Sequence, residues 1–138
     1  MSEQMKATYT GNLACEIRQA SSQTLIYTDA NPKPIRQDAF SPTDLLASAL
    51  AACTLSMMAF VAQREDIDLH DTTITYEKEM ASKPVSRVGK ITLHIVVQSS
   101  RPLDDALRAK LEAAARACPV RQSLHPDVDV VEHFEYLV

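Results

Sequence analysis

A long apolar segment, Ser41-Pro-Thr-Asp-Leu-Leu-Ala-Ser-Ala-Leu-Ala-Ala-Cys53-Thr-Leu-Ser-Met-Met-Ala-Phe60, lies in the middle of this chain. Serine favours the N-cap of a helix, proline suits the first helical position, and an acid three residues after the cap completes a capping-box-like pattern. The segment therefore predicts a helix from Ser41 to about residue 63. Because it is apolar nearly all round, we expect it to be the central, buried helix.

The flanking sequence predicts strands on both sides of this helix and a second helix after it. Alternating apolar and polar residues predict strands at 5–19, 24–28, 72–80 and 90–98, and a final strand whose one face carries Val130, Glu132, Phe134 and Tyr136. A helix is predicted to start at Ser100-Arg101-Pro102. Its apolar stripe comprises Leu103, Ala106, Leu107, Leu111, Ala114, Ala117 and Cys118. The order of elements predicts an α+β fold.

Length and composition limit the function classes. A chain of 138 residues fits one domain, residues 1–138, with one main core. A formal charge of −4 without clustered Lys and Arg disfavours a nucleic-acid partner. Two glycines cannot supply a Gly-rich phosphate loop, so no nucleotide cofactor is expected, and no spacing of Cys and His suggests a metal site.

The same sequence predicts a cytoplasmic protein. Its first residues are polar, unlike those of a signal peptide, and its three cysteines fit a reducing compartment. The apolar run 45–62 is at the short end of a membrane span, and Ser48, Thr54 and Ser56 interrupt it. A buried core helix is therefore the favoured interpretation, with no membrane partner.

Cys118 lies where the second helical pattern stops, in Ala117-Cys118-Pro119-Val120-Arg121. Pro119 disfavours helical geometry at Cys118, so the chain should break there and begin a further helical turn. Cys118 would then cap that turn, where backbone N–H groups and the positive helix end stabilise a thiolate, with Arg116 and Arg121 nearby. The alternative is a small residue that only closes a helix.

Cys53 lies in the middle of the apolar helix, and its sequence context favours a structural role. Free cysteine is often a small buried hydrophobic residue, and burial alone raises a thiol pKa. To react, Cys53 would need a nearby cation and a route for substrate. Cys15 alternates with Leu13 and Ile17 on a predicted strand and is assigned to the core.

Three charged residues are candidate partners for a reactive thiol. Arg18 is at a strand end and Arg36 is in the loop before the helix, although most arginines are merely solvated. Asp44 is first of all a helix-capping acid. It precedes Cys53 by nine residues, about 180° around a helix, so direct proton transfer between them is not expected.

Two motifs together resemble one known family. Phe40-Ser-Pro-Thr-Asp-Leu-Leu-Ala-x-Ala-Leu-x-x-Cys53, followed by Ala117-Cys-Pro-Val120 and Ser123-Leu-His-Pro126, is similar to the OsmC/Ohr family of thiol peroxidases, and most similar to its OsmC-like branch. The resemblance covers essentially the whole chain. It implies an α+β domain with antiparallel sheets around a long central helix, assembled as an intertwined homodimer with two active sites at the subunit interface.

The resemblance also implies a chemistry. Cys53 would be the peroxidatic thiol and Cys118 the resolving thiol, in a protein that reduces organic hydroperoxides without metal or flavin and serves in oxidative or osmotic stress defence. Cys53 would form a sulfenic acid, Cys118 would condense with it to a disulfide, and an external dithiol, for example a lipoyl group, would restore both.

One position departs from the family pattern. In the peroxidase branches a glutamate that pairs with the catalytic arginine follows the motif proline, whereas this chain has Thr43 there and Asp44 after it. A displacement by one position turns the acid about 100° around the helix. The alternative function is therefore that of a non-catalytic binding protein with a small apolar ligand pocket at the dimer interface. A third possible function is that of a structural interaction partner.

Overall fold

The computed structural model of the chain describes residues 4–137. The elements in order are β1 (Met5–Gly11), β2 (Ala14–Gln19), β3 (Leu25–Asp29), α1 (Pro42–Arg64), β4 (Thr73–Ala81), β5 (Arg87–Gln98), α2 (Asp105–Arg116), α3 (Pro119–Ser123) and β6 (Asp129–Leu137). The chain divides into two compact units, Met1–Leu46 and Ala47–Val138. The α+β prediction is confirmed.

The first unit contains an antiparallel sheet of order β1-β2-β3. The prediction of one strand over 5–19 is wrong, because the chain turns between β1 and β2. Gly11, Asn12 and Leu13 all have positive φ there, which closes a tight turn. Leu13 is therefore an exposed turn residue, and Cys15 on β2 is half-buried rather than a core residue.

The loop between β3 and α1 is organised by the carboxylate of Asp29, a residue that is 3% exposed. It accepts hydrogen bonds from the backbone N–H of Asn31 at 2.9 Å, Ile35 at 2.9 Å and Arg36 at 3.1 Å, and from the Asn31 side-chain amide at 2.9 Å. These bonds, those from Asn31 first, lower the pKa of Asp29 to about 2. A loop whose two prolines prevent strand pairing thus has a defined backbone.

Helix α1 begins where the sequence predicted, with the Asp44 N–H donating to Ser41 Oγ at 3.1 Å. Its most apolar 18 residues have a mean hydropathy of 2.1, and the helix is long enough to cross a membrane. One face nevertheless lies in the core, where Leu50 and Met58 are fully buried. The opposite face is not buried within the chain, since Phe60 is 59% exposed, and the prediction of burial all round is wrong for a single chain.

The second unit contains the sheet β4-β5-β6. Strands β4 and β5 pair antiparallel, but β6 pairs parallel to β5, so the expectation of purely antiparallel sheets needs correction. The reason is the connection: α2 and α3 lie between β5 and β6, and a helical crossover returns the chain in the same direction. The inner face of β5 is formed, as predicted, by the buried residues Ile91, Leu93, Ile95 and Val97.

Helix α2 begins later than predicted. Asp104 is its N-cap, and its Oδ1 accepts the Leu107 N–H at 2.8 Å. Asp104 has extended backbone and caps the helix with its side chain, which sets the later start. Within the predicted stripe, Leu111 and Ala114 are buried, whereas Ala106 and Ala117 are exposed.

Candidate active site

The second unit brings Cys53 and Cys118 together. Cys53 lies in the middle of α1, and Cys118 lies at the break between α2 and α3. The Cys118 side chain belongs to the core and is 0% exposed, while Cys53 is half-buried and packs against the same core. Both cysteines are free thiols. The site therefore combines one sheltered thiol with one that is closer to solvent.

The two thiols lie close enough for Cys53 to affect the ionisation of Cys118. Burial and then the hydrogen bond with the Cys53 side chain raise the pKa of Cys118 above its ordinary value. The backbone N–H groups of Arg121 and Val120 lower it by less. Cys118 is therefore held as a neutral thiol at neutral pH.

This outcome corrects the expectation of a thiolate at the start of α3. Cys118 is the N-cap of this helix, as predicted, with Pro119 at the first helical position. The N–H groups at the start of α3 lower the pKa of Cys118 by less than burial raises it, and α3 has only five residues, so its dipole is small. Desolvation of a fully buried sulfur outweighs that field.

The sequence-based prediction missed a buried carboxylate beside the thiols' helices. Glu132 of β6 has a side chain that is 6% exposed, and its Oε1 binds Nη1 of Arg121 and lies 3.6 Å from Nε of Arg116. Arg116 ends α2 and Arg121 lies in α3, so the carboxylate contacts both helices that meet at Cys118. The signal was present in the sequence, since Glu132 is the one charged residue on the apolar face predicted for β6.

The remaining candidates, Arg18, Arg36 and Asp44, lie in the first unit. Arg18 of β2 donates to Glu16 Oε1 at 3.1 Å and to Gln23 Oε1 at 3.4 Å. Asp44 lies in the first turn of α1, as expected for a capping acid.

Arg36 is held more firmly than Arg18. Its Nε and Nη2 each donate to the Asp38 carboxylate at 2.8 Å, and its guanidinium lies 3.9 Å from the centre of the Tyr27 ring. Hydrogen bonding to Asp38 raises the pKa of Arg36, and the same contact lowers the pKa of Asp38. A bidentate ion pair stacked on an aromatic ring is typical of a structural arginine.

An open depression of about 600 Å³ lies in the second unit, near the C-terminal end of α1. Its lining includes Leu55, Ala59, Ile67 and His70, and neither thiol contributes to it. Among residues 4–137, no group of three His, Cys, Asp or Glu side chains is placed to hold a metal ion.

Comparison with known proteins assigns the chain to a family. The sequence profile described as OsmC-like protein matches residues 35–133. The chain therefore belongs to the OsmC-like family, as its motifs indicated. No curated protein sequence matches the chain significantly.

Solved structures agree with this assignment. A Psychrobacter arcticus 273-4 protein, provisionally named an osmotic stress induced and detoxification response protein, is 35% identical with a TM-score of 0.86, covering 95% of this chain and 94% of its own. An OsmC-like protein of Mycoplasma pneumoniae is 19% identical with a TM-score of 0.83, covering 100% and 99%. The organic hydroperoxide resistance protein OhrB of Bacillus subtilis is 21% identical with a TM-score of 0.69, covering 98% of both chains. At such identities the last two establish the shared fold.

Proposed function

We propose that this protein is a cysteine-based reductase of organic hydroperoxides that cycles through a Cys53–Cys118 disulfide. The observations that carry the proposal are that Cys53 packs against the core to which Cys118 belongs and that the Cys53 side chain helps to raise the pKa of Cys118. Two neighbouring cysteines can be joined by a disulfide when their Cα atoms lie within about 7 Å. Membership of a family that includes organic hydroperoxide resistance proteins supports the same reaction.

In the first step the Cys53 thiolate attacks the terminal oxygen of the hydroperoxide ROOH. The sulfur–oxygen bond forms as the oxygen–oxygen bond breaks, which gives Cys53–SOH and, after protonation of the leaving alkoxide, ROH. Cys53 is the better nucleophile of the pair because it is half-buried and accessible, whereas Cys118 is enclosed and protonated. Partly buried apolar side chains such as Met57, Val120 and Leu124 pack against the same core and favour an alkyl substrate.

In the second step the Cys118 sulfur attacks the Cys53 sulfenic acid. The disulfide forms, and the Cys118 proton leaves with the hydroxyl group as water. An external dithiol, for which a lipoyl group is one candidate, then reduces the disulfide and becomes a disulfide itself. Cys118 needs only to displace hydroxide from a neighbouring sulfur. Its raised pKa keeps it protonated, and a protonated thiol is protected from direct oxidation between turnovers.

Activation of Cys53 requires a cation, and we assign this role to Arg18. Arg18 has single, longer hydrogen bonds to Glu16 and Gln23, whereas Arg36 has two short bonds to one carboxylate and an aromatic ring beneath it. The weaker contacts leave Arg18 easier to redirect to a thiolate. Glu16 would then substitute for the family glutamate that Thr43 replaces, and Asp44 would act only at the helix start.

We propose further that residues 1–138 function as one domain in a cytoplasmic homodimer. Exposed apolar side chains support a partner surface: Phe60 on α1 is 59% exposed, and Met5 and Tyr9 on β1 are 69% and 65% exposed. Phe60 follows Cys53 by seven residues, which is about 20° from the same helix face. A second copy that covers Phe60 would therefore also enclose Cys53 and complete its apolar pocket.

The competing proposal is a binding protein on the same fold. Thr43 in place of the family glutamate favours it, because that change removes the usual partner of the catalytic arginine. In that case the thiols would line a pocket for a small apolar ligand without reacting. A ligand found by native mass spectrometry, together with thiols inert to peroxide, would support this alternative.

The deciding experiment is stoichiometric oxidation with cumene hydroperoxide. One equivalent should remove two free thiols from each wild-type chain. It should remove one thiol from Cys118→Ser, as a sulfenic acid. Cys53→Ser should lose no thiol on the time scale of the wild-type reaction. Cys15→Ser is the matched control and should behave like the wild type. A Cys53→Ser variant that consumes peroxide as fast as the wild type would rule out the proposed function.

A further inference from the structure

Glu132 is a charged group in an apolar setting. It lies on the inner face of β6, where its neighbours on the same face are the half-buried Val130 and Phe134. Its side chain is 6% exposed, and its Oε2 is buried with no hydrogen-bond partner among the described residues. Burying a carboxylate costs free energy unless it is paired, so Glu132 depends on its cationic partners to be stable at this position.

Those partners come from the two helices on either side of Cys118. Oε1 of Glu132 binds Nη1 of Arg121 in α3 and lies 3.6 Å from Nε of Arg116 at the end of α2. Arg116 also faces Glu112, at 3.7 Å, and Glu112 accepts the Tyr136 hydroxyl at 2.7 Å. One carboxylate therefore ties α2 and α3 to β6 at the point where the helical chain breaks.

The break itself is bridged by few hydrogen bonds. Pro119 has no N–H, the Cys118 N–H makes a long bond of 3.4 Å to the Ala115 carbonyl, and Gln122 Nε2 donates to the Arg116 carbonyl at 3.0 Å. The position of the Cys118 sulfur is therefore set by how α2 and α3 are held relative to β6. The ion pairs of Glu132 are the contacts that join both helices to β6 at this junction.

We infer that Glu132 is a positioning residue for Cys118, which acts through Arg116 and Arg121 to hold the Cys118 thiol buried against Cys53. The inference deepens the proposed function, because it assigns the contact on which disulfide formation depends. Loss of the carboxylate should let the α2–α3 junction open, expose the Cys118 sulfur and lower its effective concentration at Cys53.

The first test measures exposure of Cys118 in the reduced protein. In a Cys15→Ser background, the rate of modification of Cys118 by a small alkylating reagent is followed by mass spectrometry. Glu132→Gln keeps the side-chain volume but removes the charge, and it should speed the modification of Cys118 by about tenfold or more. Glu135→Gln, which changes an exposed glutamate on the same strand, should leave the rate unchanged.

The second test measures the equilibrium between the Cys53–Cys118 disulfide and dithiothreitol. The protein dithiol and oxidised dithiothreitol exchange for the protein disulfide and reduced dithiothreitol, so the constant reports the effective concentration of the two thiols. Glu132→Gln should lower this constant by about tenfold. Glu132→Asp retains the charge, so its equilibrium constant should lie between those of Glu132→Gln and the wild type. If Glu132→Gln does not fold, Glu132→Asp is measured in its place.

Val130→Ala separates positioning from general instability, because it weakens the same strand without touching the ion pairs. If Val130→Ala reproduces both effects at an equal fall in melting temperature, or if Glu132→Gln changes neither quantity, the inference is overturned. Neither test uses peroxide. If the wild type does not react with peroxide but Glu132→Gln still changes both measured quantities, the proposed function is ruled out and Glu132 remains a positioning residue.

Discussion

The thiol of Cys118 lies beside the thiol of Cys53, although Cys118 caps the short helix α3 and Cys53 lies in the middle of α1. This contact makes the two sulfurs chemically different, because it helps to keep Cys118 protonated while Cys53 remains the more accessible of the two. A pair with this asymmetry has a built-in order of reaction. The accessible sulfur would meet the oxidant, and the buried one would respond.

Alkylation of Cys118 should depend steeply on pH. Burial and the Cys53 hydrogen bond raise its pKa, and only the thiolate reacts with iodoacetamide, so modification should be slow at neutral pH and still rising above pH 9. Peptide mass spectrometry of the reduced protein between pH 6 and pH 10 gives the rate. A plateau already reached at neutral pH would contradict the burial argument.

Replacement of Arg18 should slow the first oxidation of Cys53. Arg18→Gln removes the cation assigned to the thiolate, and the second-order rate with cumene hydroperoxide should fall by about 100-fold. Arg36→Gln is the matched control, because it removes the other candidate arginine, and its rate should stay within about threefold of the wild type. The opposite ranking, measured by stopped-flow oxidation, would transfer the role to Arg36.

Replacement of Asp29 should change the acid stability of the first unit. Its pKa is about 2 in the folded chain and 3.8 ordinarily, so the charge contributes stability above about pH 4 that is lost as the pH falls toward 2. Asp29→Asn should therefore be less stable than the wild type at pH 5, and the gap should narrow by pH 2. Thermal melts at both values measure this; Glu135→Gln controls for the loss of one charge.

Replacement of Phe60 should disrupt the proposed homodimer. Phe60→Glu places a charge on the apolar face of α1 that a second copy would cover, so the protein should elute as a monomer in size exclusion with light scattering. Phe60→Leu keeps the face apolar and should remain dimeric. A dimeric Phe60→Glu variant would place the interface elsewhere.

Truncation of Leu50 should destabilise the chain through a cavity. Its side chain is fully buried in the core, and Leu50→Ala should lower the free energy of unfolding by about 2–5 kcal/mol. Val85→Ala, at a position that is 62% exposed, should change it by less than about 0.5 kcal/mol. Urea unfolding followed by circular dichroism measures both.

Some features were predictable because they depend on neighbours in the sequence. The capping pattern at Ser41 located the start of α1, Pro119 located the break after α2, and alternation located the inner face of β5. Local rules failed where two signals competed. Apolar alternation suggested a continuous strand over 5–19, but the turn at Gly11 interrupts it. The cap at Asp104 starts α2 later than apolar spacing had placed it.

In the candidate site, too, some residues were predictable from the sequence and others only from the structure. The motifs singled out Cys53 and Cys118, and the resemblance they carry supplied a reason to pair them. Their proximity depends on the packing of α1 against the α2–α3 break, which brings together residues far apart in the chain. Glu132 could have been noticed as an acid on an apolar face, but its arginine partners could not, because they come from two other elements.

The amino-acid sequence alone determined the family, the start of the central helix and the identity of the two thiols, because capping, periodicity and motif spacing are local properties. The tertiary structure decided the parallel pairing of β6, the protonated state of Cys118 and the carboxylate beside its helices. These depend on desolvation and on contacts between distant segments, and both exist only once the chain has folded.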